Sequence, residues 1–194
     1  QSRAFWSFFF PQLQTLFPKQ LGQVPFSDFY QALHVVRPSF IRVEADELTY
    51  PMHVILRFEI EKQMIEGSLS PKDLPQCWSL GMQKHLGITP PNDQKGCLQD
   101  IHWSMGGFGY FPSYTLGNVY AAHLFEQFAL FHPDWEQRVA QGQLRFIQDW
   151  LRERIYRHGK TKSSLQLLQI SELSATPYLR YLEEKYTHSS YIVK

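Results

Sequence analysis

The sequence predicts an all-α, mainly helical protein with one small irregular or β element near residues 97–111. Two observations support this fold class: apolar residues recur at helical spacing through most of the chain, and prolines and glycines divide these stretches into helix-sized segments. The 194 residues are 43% hydrophobic and 15% aromatic, which is enough to bury a core. We therefore expect residues 1–194 to form a single domain.

Prolines and a serine mark the first elements. An apolar opening segment runs to about Phe17, where Pro18 stops it. Ser27 is the predicted N-cap of a helix over residues 28–36, because its hydroxyl can accept a hydrogen bond from a first-turn N–H. Residues 40–43 form a short run with branched side chains, which favours a strand.

The longest predicted helix covers residues 49–66. Pro51 lies in its first turn, where a missing N–H is tolerated, and Gly67 follows at the C-terminal cap. Residues 52–60 are apolar on most sides, so we expect this helix to be central. Further helices are predicted over residues 73–86, 118–131, 133–141 and 143–158, and from Thr176 onward.

The segment 99–117 lies between two predicted helices and has no clear periodicity. It is rich in glycine and aromatic residues. Such a segment indicates a loop or a short pair of strands placed for function, because connecting segments carry a large share of binding and catalytic residues. The polar stretch 160–164 is expected to be a linker.

The composition argues against several classes of partner. The formal net charge of +1 provides no field that would attract nucleic acid or an anionic membrane. No apolar run approaches the roughly 18 residues that a membrane helix needs. The two cysteines, Cys77 and Cys97, favour free thiols in a reducing cytoplasm over a disulfide bridge.

An aromatic patch stands at the start of the chain. Its members are Phe5, Trp6, Phe8 and Phe9. A cluster of this kind needs a covering surface, so it indicates an interface with another chain or with a preceding segment. The alternative is that this face packs against the chain itself.

Three motifs follow one another in the middle of the chain. They are Ile-Arg-Val-Glu-Ala-Asp at residues 41–46, Gly-Cys-Leu-Gln-Asp-Ile-His-Trp at residues 96–103 and Gly-Tyr-Phe-Pro-Ser-Tyr at residues 109–114. Together, and at this spacing, they resemble the thermostable carboxypeptidase Taq family of zinc metallocarboxypeptidases. The resemblance spans roughly residues 1–190. It implies that the chain starts at Gln1, just after a His-Glu-Ser metal-ligand motif, and is the C-terminal portion of a larger enzyme, half of a helical, cleft-type zinc peptidase fold.

The histidine pattern bears on the metal. Many zinc peptidases use His-Glu-x-x-His on one helix, because side chains at i and i+4 share a face. None of the eight histidines of this chain occurs in that pattern. We therefore expect no metal ligand and no bound zinc in this chain alone, whereas the resemblance implies zinc or another divalent metal in the complete enzyme.

Arg42 is the expected substrate-binding residue for a free C-terminal carboxylate. The resemblance assigns this role to the arginine of the first motif, and the planar guanidinium matches a carboxylate with two parallel hydrogen bonds. The alternative is a structural network in which Arg42 pairs with Glu44 or Asp46.

His102 and Tyr114 are the expected catalytic residues. Both can donate a hydrogen bond to the oxyanion that forms in peptide hydrolysis, and only 12 residues of a glycine-rich segment separate them. Tyr110 is the alternative candidate for this role, and it is otherwise expected to bind the substrate. The alternatives are a core histidine beside Trp103 and a core tyrosine.

A supporting role is expected for three polar residues, which would orient other site residues without binding the metal themselves: Asp46, Gln99 and Asp100. Polar groups in such positions often orient the rings of metal-bound histidines, and here those histidines would lie elsewhere in the complete enzyme. Helix capping is the alternative role for the two aspartates. His53, one turn into the long helix, is expected to line the cleft or to lie in the core.

The resemblance implies the C-terminal portion of a metal-dependent carboxypeptidase that removes the C-terminal residue from peptides. The implied partners are peptides with a free C-terminus, and a second copy of the chain, the missing N-terminal half, or both. The alternative function is a non-catalytic helical module for interaction or dimerisation.

Overall fold

The protein is described by a computed structural model that covers residues 2–187, so Gln1 and residues 188–194 lie outside the described range. The predicted all-α class is confirmed. The described backbone divides into two compact units, one formed by residues 2–33 and 119–184 and the other by residues 34–118 and 185–187. The single domain stays a prediction.

Ten α-helices are found in residues 2–187. They are α1 (Arg3–Leu16), α2 (Pro18–Leu21), α3 (Phe26–Ala32), α4 (Tyr50–Ile65), α5 (Leu74–Leu86), α6 (Pro112–Phe131), α7 (Trp135–Ala140), α8 (Arg145–Arg154), α9 (Ser164–Leu168) and α10 (Thr176–Thr187). Short 3₁₀ turns occur at Arg42–Glu44, Pro71–Asp73, Trp103–Met105 and Tyr156–His158. Over the same residues, no helix is both long and apolar enough to cross a membrane.

The first unit is built around aromatic side chains. Phe128, Val139 and Phe146 form its buried core, and Phe5 packs against them. Trp6 lies edge-on to Phe29, with ring centroids 5.2 Å apart. The opening aromatic patch is thus partly covered by the chain itself, as the alternative interpretation of the sequence had it.

The second unit contains the long helix α4 packed against α5. Leu56, Ile60, Trp78 and Met82 are each at most 1% exposed and form its core. A Cβ atom at Gly81 would lie 2.2 Å from the Leu56 side chain, so the absence of a side chain there allows the two helices to approach closely. The predicted central position of the long helix is therefore confirmed.

Several predicted elements differ in the structure. Helix α3 spans Phe26–Ala32 with Pro25 at the N-cap, so Ser27 is not the cap, and α8 ends at Arg154 and not at residue 158. Residues 40–43 do not form a strand; Arg42–Glu44 is a 3₁₀ turn, because Asp46 organises the backbone after it by accepting hydrogen bonds from the N–H groups of Leu48 and Thr49. Helix α6 begins at Pro112 and not at residue 118, since a proline is compatible with the first turn of a helix.

The segment near residues 97–111 is irregular, as predicted, and contains the turn Trp103–Met105 but no strand. Gly106 and Gly109 both have positive φ, 75° and 80°, which only glycine adopts easily. Cys77 and Cys97 are free thiols, and burial raises the pKa of each.

Candidate active site

Arg42 lies at the centre of a buried polar network in the second unit. It is 5% exposed. Its guanidinium donates to Oδ1 of Asp100 from Nε (3.1 Å) and Nη2 (2.7 Å), and to the Tyr50 hydroxyl from Nη1 (2.9 Å). The ion-pair partner of Arg42 is therefore Asp100, not the Glu44 or Asp46 considered in the sequence analysis.

Arg57 holds the other side of the same carboxylate. It projects from α4, is 0% exposed, and its guanidinium lies 4.6 Å from the ring centroid of Trp78. Nε donates to Oδ2 of Asp100 at 2.7 Å, and Nη1 donates to the carbonyl of His53 at 2.8 Å. Arg57 was not among the site residues predicted from the sequence. The only signal for it was an arginine in an otherwise apolar part of a central helix.

Gln99 joins the two arginines through one oxygen. Its Oε1 accepts from the backbone N–H of Arg42 (2.9 Å) and from Nη2 of Arg57 (2.8 Å), while Nε2 donates to the carbonyl of Phe40 (2.9 Å). Gln99 and Asp100 thus connect two sequence motifs to α4. Their expected role toward metal-bound histidines, like that of Asp46, stays a prediction.

The network carries one more positive than negative charge. Burial opposes ionisation of Asp100, but the hydrogen bonds and charges of Arg42 and Arg57 outweigh it and hold the pKa of this carboxyl below its usual value. Burial lowers the pKa of Arg57 to about 10, so this side chain is still charged at neutral pH. Two guanidinium groups therefore share one carboxylate, and the excess charge favours an anionic ligand.

His102 and Tyr114 are hydrogen-bonded to each other. Nε2 of His102 lies 3.0 Å from the Tyr114 hydroxyl, and the Arg42 guanidinium lies 4.9 Å from the Tyr114 ring centroid. Nδ1 of His102 is 4.0 Å from Oδ1 of Asp100. The structure thus brings the predicted catalytic pair into contact with the arginine network.

Tyr110 stands beside this pair. Its ring centroid is 5.7 Å from that of His102 and 5.5 Å from that of Tyr114. The side chain is 54% exposed, whereas Tyr114 is half-buried. Of the two tyrosines, Tyr114 therefore has the hydrogen bond and Tyr110 the open surface.

The described part of the chain has no cluster of metal-ligating side chains. Between residues 2 and 187, no group of three His, Cys, Asp or Glu side chains is placed to hold a metal ion. The residues of the network do not fit a metal site, because their one carboxylate is already bound by two arginines. No chemical step at a metal is therefore assigned to them.

His53 is a fully buried histidine next to the network, at 0% exposure. Burial, followed by the charges of Arg57 and Arg42, lowers its pKa to about 4 from 6.5. Below about pH 6.5 the unfolded chain binds a proton at this position and the folded chain does not. The contribution of His53 to stability is therefore complete above about pH 6.5 and is lost as the pH falls toward 4.

We expect this difference to make the free energy of unfolding fall by up to about 3 kcal/mol between pH 7 and pH 4. Urea unfolding at several pH values measures it. The His53→Gln variant should lose that part of the pH dependence, even where its stability at pH 7 is lower. Parallel curves for the variant and the original chain would contradict the prediction.

Comparison with known proteins matches the sequence and fold along nearly the whole chain. The chain belongs to the carboxypeptidase Taq (M32) metallopeptidase family, whose sequence model matches residues 1–186. The family resemblance inferred from the three motifs is thereby confirmed.

Individual relatives agree with this assignment. The chain is 41% identical over 191 residues to Carboxypeptidase 1 of Bacillus subtilis and 42% identical over 189 residues to Thermostable carboxypeptidase 1 of Thermus thermophilus. These alignments cover 97% and 96% of this chain but 38% and 37% of the relatives. The chain thus spans little more than a third of their length.

Solved structures show the same fold. The M32 carboxypeptidase from Deinococcus radiodurans R1 superposes with a TM-score of 0.92 at 40% identity, over 96% of this chain and 38% of that one. The carboxypeptidase of Pyrococcus furiosus gives a TM-score of 0.90 at 38% identity, over 95% of this chain and 38% of that one.

Proposed function

We propose that this chain supplies the substrate-carboxylate and oxyanion-binding residues of a metal-dependent carboxypeptidase that releases the C-terminal residue of peptides. The observation that carries the proposal is the excess positive charge shared by Arg42, Arg57 and Asp100, next to a hydrogen-bonded His102–Tyr114 pair. A peptide C-terminus brings the anion that this charge favours, and its scissile carbonyl brings the oxyanion.

Arg42 is the proposed binding group for the terminal carboxylate. Its contacts with Asp100 and Tyr50 use three of the five N–H groups that a guanidinium has. The remaining N–H groups, one on each terminal nitrogen, are the ones proposed to bind the substrate carboxylate. Tyr110, exposed beside His102, is proposed to contact the substrate.

His102 and Tyr114 are proposed to stabilise the oxyanion. When Nε2 of His102 carries the proton, it donates to the Tyr114 oxygen, and the phenolic proton is then free to bond the developing negative charge. Such a donor acts mainly in the transition state, because the charge it binds appears only there.

The rest of the enzyme is also part of the proposal. Zinc or another divalent metal would be held by ligands in the part of the family's length that this chain does not span, and would activate the attacking water. The chain would function with that part, as a homodimer, or both, in the cytoplasm. A site that buries three charged side chains favours this function over a non-catalytic module.

We expect Tyr114→Phe to lower kcat about 100-fold in the assembled enzyme, because the change removes one oxyanion donor and keeps the ring. The assay is the release of the C-terminal residue from a short peptide with saturating metal. Tyr110→Phe is the matched control and should leave kcat within a few-fold of the original. If Tyr110→Phe abolishes activity and Tyr114→Phe does not, the catalytic tyrosine has been assigned wrongly.

A further inference from the structure

Glu61 is a buried carboxylate with an unusual set of partners. It lies on α4, is 5% exposed, and accepts hydrogen bonds from the indole Nε1 of Trp103 at 3.0 Å and from the backbone N–H of Gly109. Among residues 2–187 it forms no ion pair with a lysine, arginine or histidine. Both of its partners belong to the irregular segment before α6.

Burying a carboxylate without a cation is costly, so the two hydrogen bonds have to offset a large desolvation penalty. The segment they hold contains glycines with positive φ at both 106 and 109, which leave its backbone few intrinsic restraints. Charge-assisted hydrogen bonds are the stronger kind, and here they tie the segment to a core helix.

The two anchored residues are the chain neighbours of the two site residues. Trp103 directly follows His102, and Gly109 directly precedes Tyr110. The rings of His102 and Tyr110 lie 5.7 Å apart. One carboxylate thus holds the backbone next to each of these two rings.

We propose that Glu61 is a positioning residue that sets the separation of His102 and Tyr110 and so shapes the substrate side of the site. This inference rests on the proposed function for its effect on catalysis, but its structural part concerns this chain alone. The two parts are tested separately.

The structural part is tested by Glu61→Gln in the chain itself. A glutamine has the same shape but only one acceptor oxygen, so one of the two donors loses its partner. We expect hydrogen exchange of the amides in residues 103–111 to become about tenfold faster or more, since a hydrogen bond to a charged group contributes at least that factor. The ring signals of His102 in the NMR spectrum should shift, because the ring current of Tyr110 depends on their separation.

Glu59→Gln is the matched control. Glu59 lies on the same helix and bonds His85 of α5 at 2.9 Å, so its loss loosens a contact between helices away from the site. It should leave the exchange of residues 103–111 and the His102 signals unchanged. Equal effects of the two variants, or no effect of Glu61→Gln, would overturn the inference.

The catalytic part is tested in the assembled enzyme. Glu61→Gln should lower kcat/KM about tenfold, and combining it with Tyr110→Ala should add little to the loss caused by Tyr110→Ala alone, because both changes act through the same contact. Fully additive losses would mean that Glu61 supports the fold in general and does not act through Tyr110. If the assembled enzyme has no carboxypeptidase activity at all, the proposed function fails, and the exchange and NMR results still decide the positioning role.

Discussion

Replacing Arg57 with methionine should destabilise the chain by about 3–5 kcal/mol, because it breaks a buried ion pair and removes a donor from three buried acceptors. The guanidinium is 0% exposed and bonds Asp100, Gln99 and the carbonyl of His53. Methionine fills a similar volume but satisfies none of these groups. Urea unfolding at pH 7 measures the difference.

Two further variants make the test of Arg57 specific. Lys62→Met removes a cation from the same helix whose ion pair with Glu66 is exposed, so it should cost less than about 1 kcal/mol. Combining Arg57→Met with Asp100→Asn should increase the loss, because Asp100 still pairs with Arg42 in the single variant and the second change leaves that buried guanidinium without a carboxylate. A loss below about 1 kcal/mol for Arg57→Met would show that water or another cation replaces it.

Arg42→Ala should lower kcat/KM of the assembled enzyme for peptides with a free C-terminus. The expected loss corresponds to about 2–4 kcal/mol of transition-state stabilisation, since truncating one partner of a buried charge pair costs that much. Any residual activity toward peptides with an amidated C-terminus should change little. The ratio of the two kcat/KM values is the quantity to measure.

This ratio separates the two roles open to Arg42. Its ion pair with Asp100 means that the variant also disturbs the network, and such a disturbance lowers activity toward both kinds of peptide equally. An unchanged ratio would therefore assign Arg42 to the structural network alone. Glu44→Ala, a change at an exposed residue of the same 3₁₀ turn, is the control and should affect neither activity.

Local signals in the sequence predicted most helix boundaries well. Helix α5 ends at Leu86, as predicted, and is followed by Gly87 with φ of 70°; Pro18 separates α1 from α2. The error at residues 40–43 arose because branched side chains favour strands only where a partner strand exists. The start of α6 was predicted too late because the segment around Pro112 is rich in glycine and aromatic residues and has no clear helical periodicity.

The motifs pointed to residues that the structure brings together, but they did not give the contacts among them. His102 and Tyr114 form the expected neighbouring pair. The partners of Arg42 were predicted within its own motif, whereas Asp100 lies 58 residues further along the chain. A local pattern contains no information about which distant residue a charged side chain will meet.

The sequence by itself determined the helical class and the family, because helix propensity, proline and glycine stops and motif spacing act over short distances along the chain. Only the tertiary structure decided that Arg57 and Glu61, one helical turn apart on α4, hold Asp100 and the segment around Gly109. The physical reason is that burying a charge is unfavourable unless a partner is in place. The partners are Asp100 and Gly109, which lie 43 and 48 positions further along the chain and pack against the same helix.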